Sequence, residues 1–146
     1  MLESNTLANV LRSLEIALYL YFAITISIYD CKSHLIRNRE LVKFLALSAA
    51  LNIFSGHFQG FAIAAALLPI ALLVVSIFGN KIGSGDLKLY LVLAIWCCDI
   101  QSWFTYFAYS WILGGIYGVL LIFRGKGRLQ RIAFAPFIFL GFLPAI

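Results

Sequence analysis

Two of the six acidic residues stand where an apolar stretch gives way to polar residues. Asp30 closes the run YLYFAITISIYD, and Asp86 follows a glycine pair in GSGDLKL. A carboxylate at the edge of an apolar segment is costly unless it is paired or wet, so each is a candidate functional group. Two carboxyls at one depth that share a proton can activate water with one member and protonate a leaving nitrogen with the other. That combination suits hydrolysis of an amide.

Taken singly, each acid has a plainer use. Asp30 could pair with Lys32 or Arg37 and Asp86 with Lys88, or each could cap its own helix. The remaining acids read as structural: Glu3 and Glu15 flank the start, Asp99 falls in a turn, and Glu40 balances Arg37, Arg39 and Lys43. Gly83 and Gly85 remove side chains on both sides of Ser84, so the backbone there can take positive φ and a second chain, a peptide substrate included, can come close. No GxxxxGK[ST] string is present, which excludes a phosphate cradle of that kind.

The elements that must position these groups are helices in lipid. Of 146 residues, 63% are hydrophobic and 12% charged, with a mean hydropathy of +0.98. Apolar stretches fall at 14–29, 41–55, 61–78, 87–98, 103–123 and 132–146. The expected fold is therefore all-α, one polytopic membrane bundle of about six transmembrane helices forming a single domain over 1–146. The fourth and sixth stretches are short. Residues 2–13, with Arg12 and Glu15 on one face, are expected to begin the first helix at the membrane surface, since they lack the basic run and cleavage site of a secretory leader.

Orientation follows from the cations. Lys32, Arg37, Arg39, Lys43, Lys81, Lys88, Arg124, Lys126, Arg128 and Arg131 fall on one side of a six-helix bundle, and only Arg12 on the other. The positive-inside rule makes the first side cytoplasmic and puts both termini outside, in a cell inner membrane. The net charge of +5 thus describes loops beside anionic lipid headgroups. Nucleic acid is excluded as a partner, because the loops are short and carry no aromatic residues among the basic ones.

Cys31, Cys97 and Cys98 form neither a CxxC pair nor a metal-ligand spacing. They read as packing residues, Cys31 and His34 lack an orienting third group for thiol catalysis, and no metal or cofactor is expected.

Three strings together resemble the signatures of the type IV prepilin peptidases. Asp30 stands six residues before Ile36-Arg37-Asn38, Gly83-Ser84-Gly85-Asp86-Leu87-Lys88-Leu89 is similar to the second signature, and Ile132 to Phe137 with Gly141 is similar to the C-terminal one. Ala133 stands where that last motif usually has proline. The resemblance implies a membrane aspartyl endopeptidase with Asp30 and Asp86 as its catalytic pair. Its expected substrate is a prepilin, pseudopilin or preflagellin subunit, cut after a glycine between a basic leader and a hydrophobic segment, at the cytoplasmic face. Larger members also methylate the new N-terminus through a cysteine-paired domain that has no counterpart here, so peptidase without methyltransferase is expected.

Around the acids, Gly83, Gly85, Lys88, Asn38 and Pro136 are the expected site-shaping positions. Lys88 either stabilises charge or snorkels to the headgroups; Asn38 either positions Asp30 or caps the second helix. Gly114, Gly115 and Gly118 are expected at close helix contacts. Helix polarity adds an assignment: Asp30 ends the first helix and Asp86 begins the fourth, so Asp86 is expected to be the ionised base and Asp30 to hold the shared proton. Three other functions share some of these features. A presenilin-like protease uses Tyr-Asp and GxGD strings, a small proton or cation transporter uses intramembrane acids, and a noncatalytic assembly subunit needs neither acid.

Overall fold

The computed structural model describes residues 2–78, 83–125 and 132–146. The elements are α1 (Leu2–Ser33), α2 (Asn38–Ser55), α3 (Gln59–Phe78), α4 (Ser84–Ala94), α5 (Ile100–Phe123) and α6 (Ala135–Phe142), with a short 3₁₀ turn at Leu143–Ala145. Lys81, Lys126, Arg128 and Arg131 lie outside the described residues.

Local chemistry sets the helix ends. His34, with φ of 50°, turns the chain out of α1 in the left-handed region, and its amide donates to the Asp30 carbonyl. Gly56, at φ 75°, ends α2 and returns its N–H to the carbonyls of Asn52 and Ile53. Asp99 begins α5 by accepting the Ser102 amide at 2.7 Å and the Ser102 hydroxyl at 2.8 Å. The structural reading of this acid holds, as does that of Glu40, which pairs with Lys43 at 3.0 Å.

All six helices are present, but they differ in reach. Thr6–Ser33, Gln59–Phe78 and Ile100–Phe123 are long and apolar enough to cross a membrane. The eleven residues of α4 rise only about 16 Å and the eight of α6 about 12 Å, against roughly 30 Å of hydrocarbon. The stretch at 87–98 breaks because Ile95 to Asp99 turns instead of continuing, and the stretch at 132–146 becomes helical only from Ala135.

The short helices are the inner ones. α6 packs on α5, α1 and α4, and α4 packs on α2 and α3. One aromatic layer joins Tyr19 and Phe22 of α1, Phe44 of α2, Trp96 after α4 and Phe139 of α6. Its polar atoms are satisfied: the Tyr19 hydroxyl donates to the Phe139 carbonyl, and Trp96 Nε1 donates to Ser48 Oγ at 3.2 Å. Two contacts depend on missing side chains. A Cβ on Gly60 would collide with the carbonyl of Ile95, and one on Gly141 would lie 2.6 Å from the Ser110 amide.

α3 is divided by Pro69, which removes a helix hydrogen bond. Its buried residues, Gly60, Ile63 and Leu67, all precede that proline. Beyond it Ile70, Leu72, Leu73 and Ile77 are exposed, as a surface that faces lipid would be. Ala8, Leu11 and Arg12 line a cavity of about 550 Å³ with Ala145 and Ile146, so both ends of the chain lie at one end of the bundle. At 1.5 Å per residue, α1 carries the chain about 27 Å from Arg12 to Asp30, which lies at the other end.

Candidate active site

Asp30 occupies the last turn of α1 and is only 5% exposed. It pairs with neither Lys32 nor Arg37. Its Oδ2 instead accepts the backbone amide of Ala135, the first residue of α6, at 2.9 Å. The Arg37 guanidinium lies over the Tyr29 ring, 4.2 Å from its centroid.

Asp86 occupies the first turn of α4 and is half-buried. Its carboxyl folds back toward the helix start. A Cβ on Gly83 would stand 2.7 Å from Asp86 Oδ2, so the missing side chain there is space for the carboxyl. Gly83 has φ of −59°, and the positive φ that glycine permits is used at Gly56 and Gly125 instead. Gly85 serves a different contact: a Cβ there would come within 2.9 Å of the Ile36 Cβ.

These contacts join the sequence strings to one another. Ile36, half-buried in the connection after α1, seats on Gly85, and two residues later Asn38 Oδ1 accepts Lys88 Nζ at 3.0 Å. The α1–α2 connection is thereby clipped onto the first turns of α4. Asn38 does not cap α2, where Arg37 occupies the capping position, and its Oδ1 is used by Lys88. Pro136 lies in the first turn of α6, next to the amide that Asp30 takes. Of the α5 glycines, Gly114 faces the Phe134 ring, Gly118 makes an ordinary contact with Ile132, and Gly115 faces open space.

The two carboxyls are close enough to act on one another. Burial pushes the Asp86 carboxyl up to about 6, and the neighbouring Asp30 adds to the rise. Asp86 precedes the apolar part of α4 and lies outside the three long spans. Asp86 can therefore keep a proton in mildly acidic solution, up to about pH 6, beside a second carboxyl. Among the described residues no three of His, Cys, Asp and Glu come together as a metal site.

The family model of the type IV leader peptidase family matches residues 17–119. The chain belongs to that family. Its matched region takes in Asp30, the Ile36 to Asn38 connection and the whole Gly83 to Leu89 string. The chain is also 28% identical over 127 residues to the prepilin leader peptidase/N-methyltransferase of Bacillus subtilis (strain 168), covering 84% of this chain and 51% of that protein. It thus spans about half the length of that relative. No solved structure matches it.

Reading the sequence missed the Ala135 amide, because a backbone group leaves no mark in residue type. The available signal was Pro136. Proline favours the first turn of a helix, so the string Phe134-Ala135-Pro136 marks a helix start inside what reads by hydropathy as the middle of a span.

Proposed function

We propose that this chain is an aspartic endopeptidase that removes the leader of type IV prepilin-like subunits. The observation that carries this reading is the nearness of Asp30 and Asp86, from α1 and α4, close enough for the charge of one to act on the other. Each has lost much of its water, and Asp30 acts on the charge of Asp86. Two such carboxyls supply the base and the acid that amide hydrolysis requires. Membership of the leader peptidase family supports the same chemistry.

The substrate in this reading is a subunit with a basic leader and a following hydrophobic segment, of the Flp or Tad pilin, pseudopilin or preflagellin kind. In this reading cleavage takes place at the cytoplasmic face of the inner membrane, and the excess of Lys and Arg in the connections nearest Asp30 and Asp86 supports that orientation. The proposal covers peptide cleavage without methyl transfer, and no metal takes part.

Co-expression with a candidate prepilin tests it directly. Wild type shortens the prepilin on a gel, whereas Asp30→Asn and Asp86→Asn each lower the rate by about 10³-fold or more. Chelator leaves cleavage intact. A product formed equally by either variant would sink the reading and leave a transporter or an assembly role.

A further inference from the structure

The amides at the start of α6 are unequally free. Pro136 has none, and those of Phe137 and Ile138 donate to the Phe134 carbonyl at 3.0 and 3.2 Å. The amide of Ala135, a fully buried residue, is left to find an acceptor outside its helix, and that acceptor is Asp30 Oδ2. A buried N–H is expensive to leave unpaired, and it binds a carboxylate more strongly than a neutral acid. The start of a helix adds its own partial positive charge.

The position of that amide is itself fixed. The Phe134 ring lies in a notch on α5 that exists because residue 114 is glycine; a Cβ there would overlap the ring. Trp111 and Phe137 hold the ring from two further sides, with centroids 5.2 and 6.1 Å away. Other charges near Asp30 are few or engaged. Lys32 is exposed, Arg37 stacks on Tyr29, Lys88 is held by Asn38, and α6 carries no charged residue. Asp86 interacts with Asp30 through its charge, and exposed His34 follows on the same connection, its amide donating to the Asp30 carbonyl.

We infer that the free amide at the start of α6 fixes Asp30 as the ionised base of the pair and leaves Asp86 to carry the shared proton, with Phe134 and Gly114 as residues that position that amide. This rests on the peptidase reading and deepens it. It reverses the assignment drawn from helix polarity, which weighed each acid against its own helix and omitted the third helix that arrives at Asp30. In the reaction, water gives a proton to Asp30 as its oxygen bonds to the scissile carbonyl carbon. The Asp86 proton then passes to the nitrogen as the C–N bond breaks. Asp30 is left protonated and Asp86 ionised, and transfer of one proton from Asp30 to Asp86 resets the pair.

Infrared difference spectra of the full chain in lipid nanodiscs at pH 5–6 test the assignment without any substrate. The protonated-carboxyl band is expected to vanish in Asp86→Asn and to survive in Asp30→Asn, where it titrates at a lower pH because the Asp30 charge no longer adds to the rise; a band that survives in Asp86→Asn instead overturns the inference. Kinetics give an independent arm. Ala135→Pro removes the N–H and is expected to lower kcat about 100-fold with KM within about threefold, the scale of losing one oriented donor. Ala135→Gly keeps the N–H and is expected to lower kcat far less than Ala135→Pro does. Equal rates in the two variants overturn the positioning role. Failure of wild type to cut prepilin would instead count against the peptidase reading, while the spectra still report which acid holds the proton.

Discussion

α6 and α5 lie side by side yet obey different rules. Five of the eight residues of α6 are buried, against four of the 24 in α5. The long helix is set by lipid, which accepts almost any apolar side chain. The short one is set by protein on several sides, where size and shape decide. Asp30 and Asp86 depend on the short helices: α4 carries one acid and α6 supplies the amide that holds the other. Tolerance to substitution should therefore divide by helix and not by hydrophobicity.

The largest expected effect separates the glycines. Gly60→Ala and Gly141→Ala each drive a methyl group into backbone and should cost about 3 kcal/mol or more. Gly115→Ala meets nothing within 4 Å and should be neutral or gain up to about 1 kcal/mol from helix propensity. Unfolding in mixed micelles measures all three, and a destabilised Gly115→Ala would break the division. A leucine pair sharpens it. Leu93, fully buried in α4, should lose about 2–4 kcal/mol on change to Ala. Leu72, 62% exposed on α3, should stay within about 0.5 kcal/mol.

The smallest effect concerns charge. The Asp86 carboxyl is raised to about 6, so the folded protein holds that proton more tightly than the unfolded chain does. Stability from this group is fully present below about pH 4, is lost as pH rises through about 6, and stays lost above. Asp86→Asn should therefore be more stable than wild type at pH 7.5, by on the order of 1–2 kcal/mol, since Asp86 keeps part of its surface in water. The advantage should shrink as pH falls toward 4. Melting curves across that range check the sign, and an advantage that grows in acid would contradict it.

Much of this was legible from residue types. Helix number and the nearness of Asp30 to Asp86 followed from apolar runs and from acids at their edges, because lipid makes both conspicuous. Helix length was less legible. Hydropathy does not distinguish a helix from an apolar turn, so Ile95 to Cys98 and Ile132 to Phe134 read as span. The roles of Asn38, Gly83 and Gly85 were visible only as possibilities, since each depends on a partner elsewhere: Lys88 for Asn38, the Asp86 carboxyl for Gly83, Ile36 for Gly85. Gly114 and Gly115 show the limit plainly. They are adjacent and chemically identical, and one faces a ring while the other faces open space.

The hydrogen bond between Ala135 and Asp30 joins positions 105 residues apart. At about 5–20 residues per second of synthesis, Asp30 emerges roughly 5–20 s before its partner exists. During that interval the carboxylate must rest in water at the membrane surface, which its place at the very end of α1 permits. Until α6 docks, a nascent chain therefore lacks the contact that holds Asp30 in place.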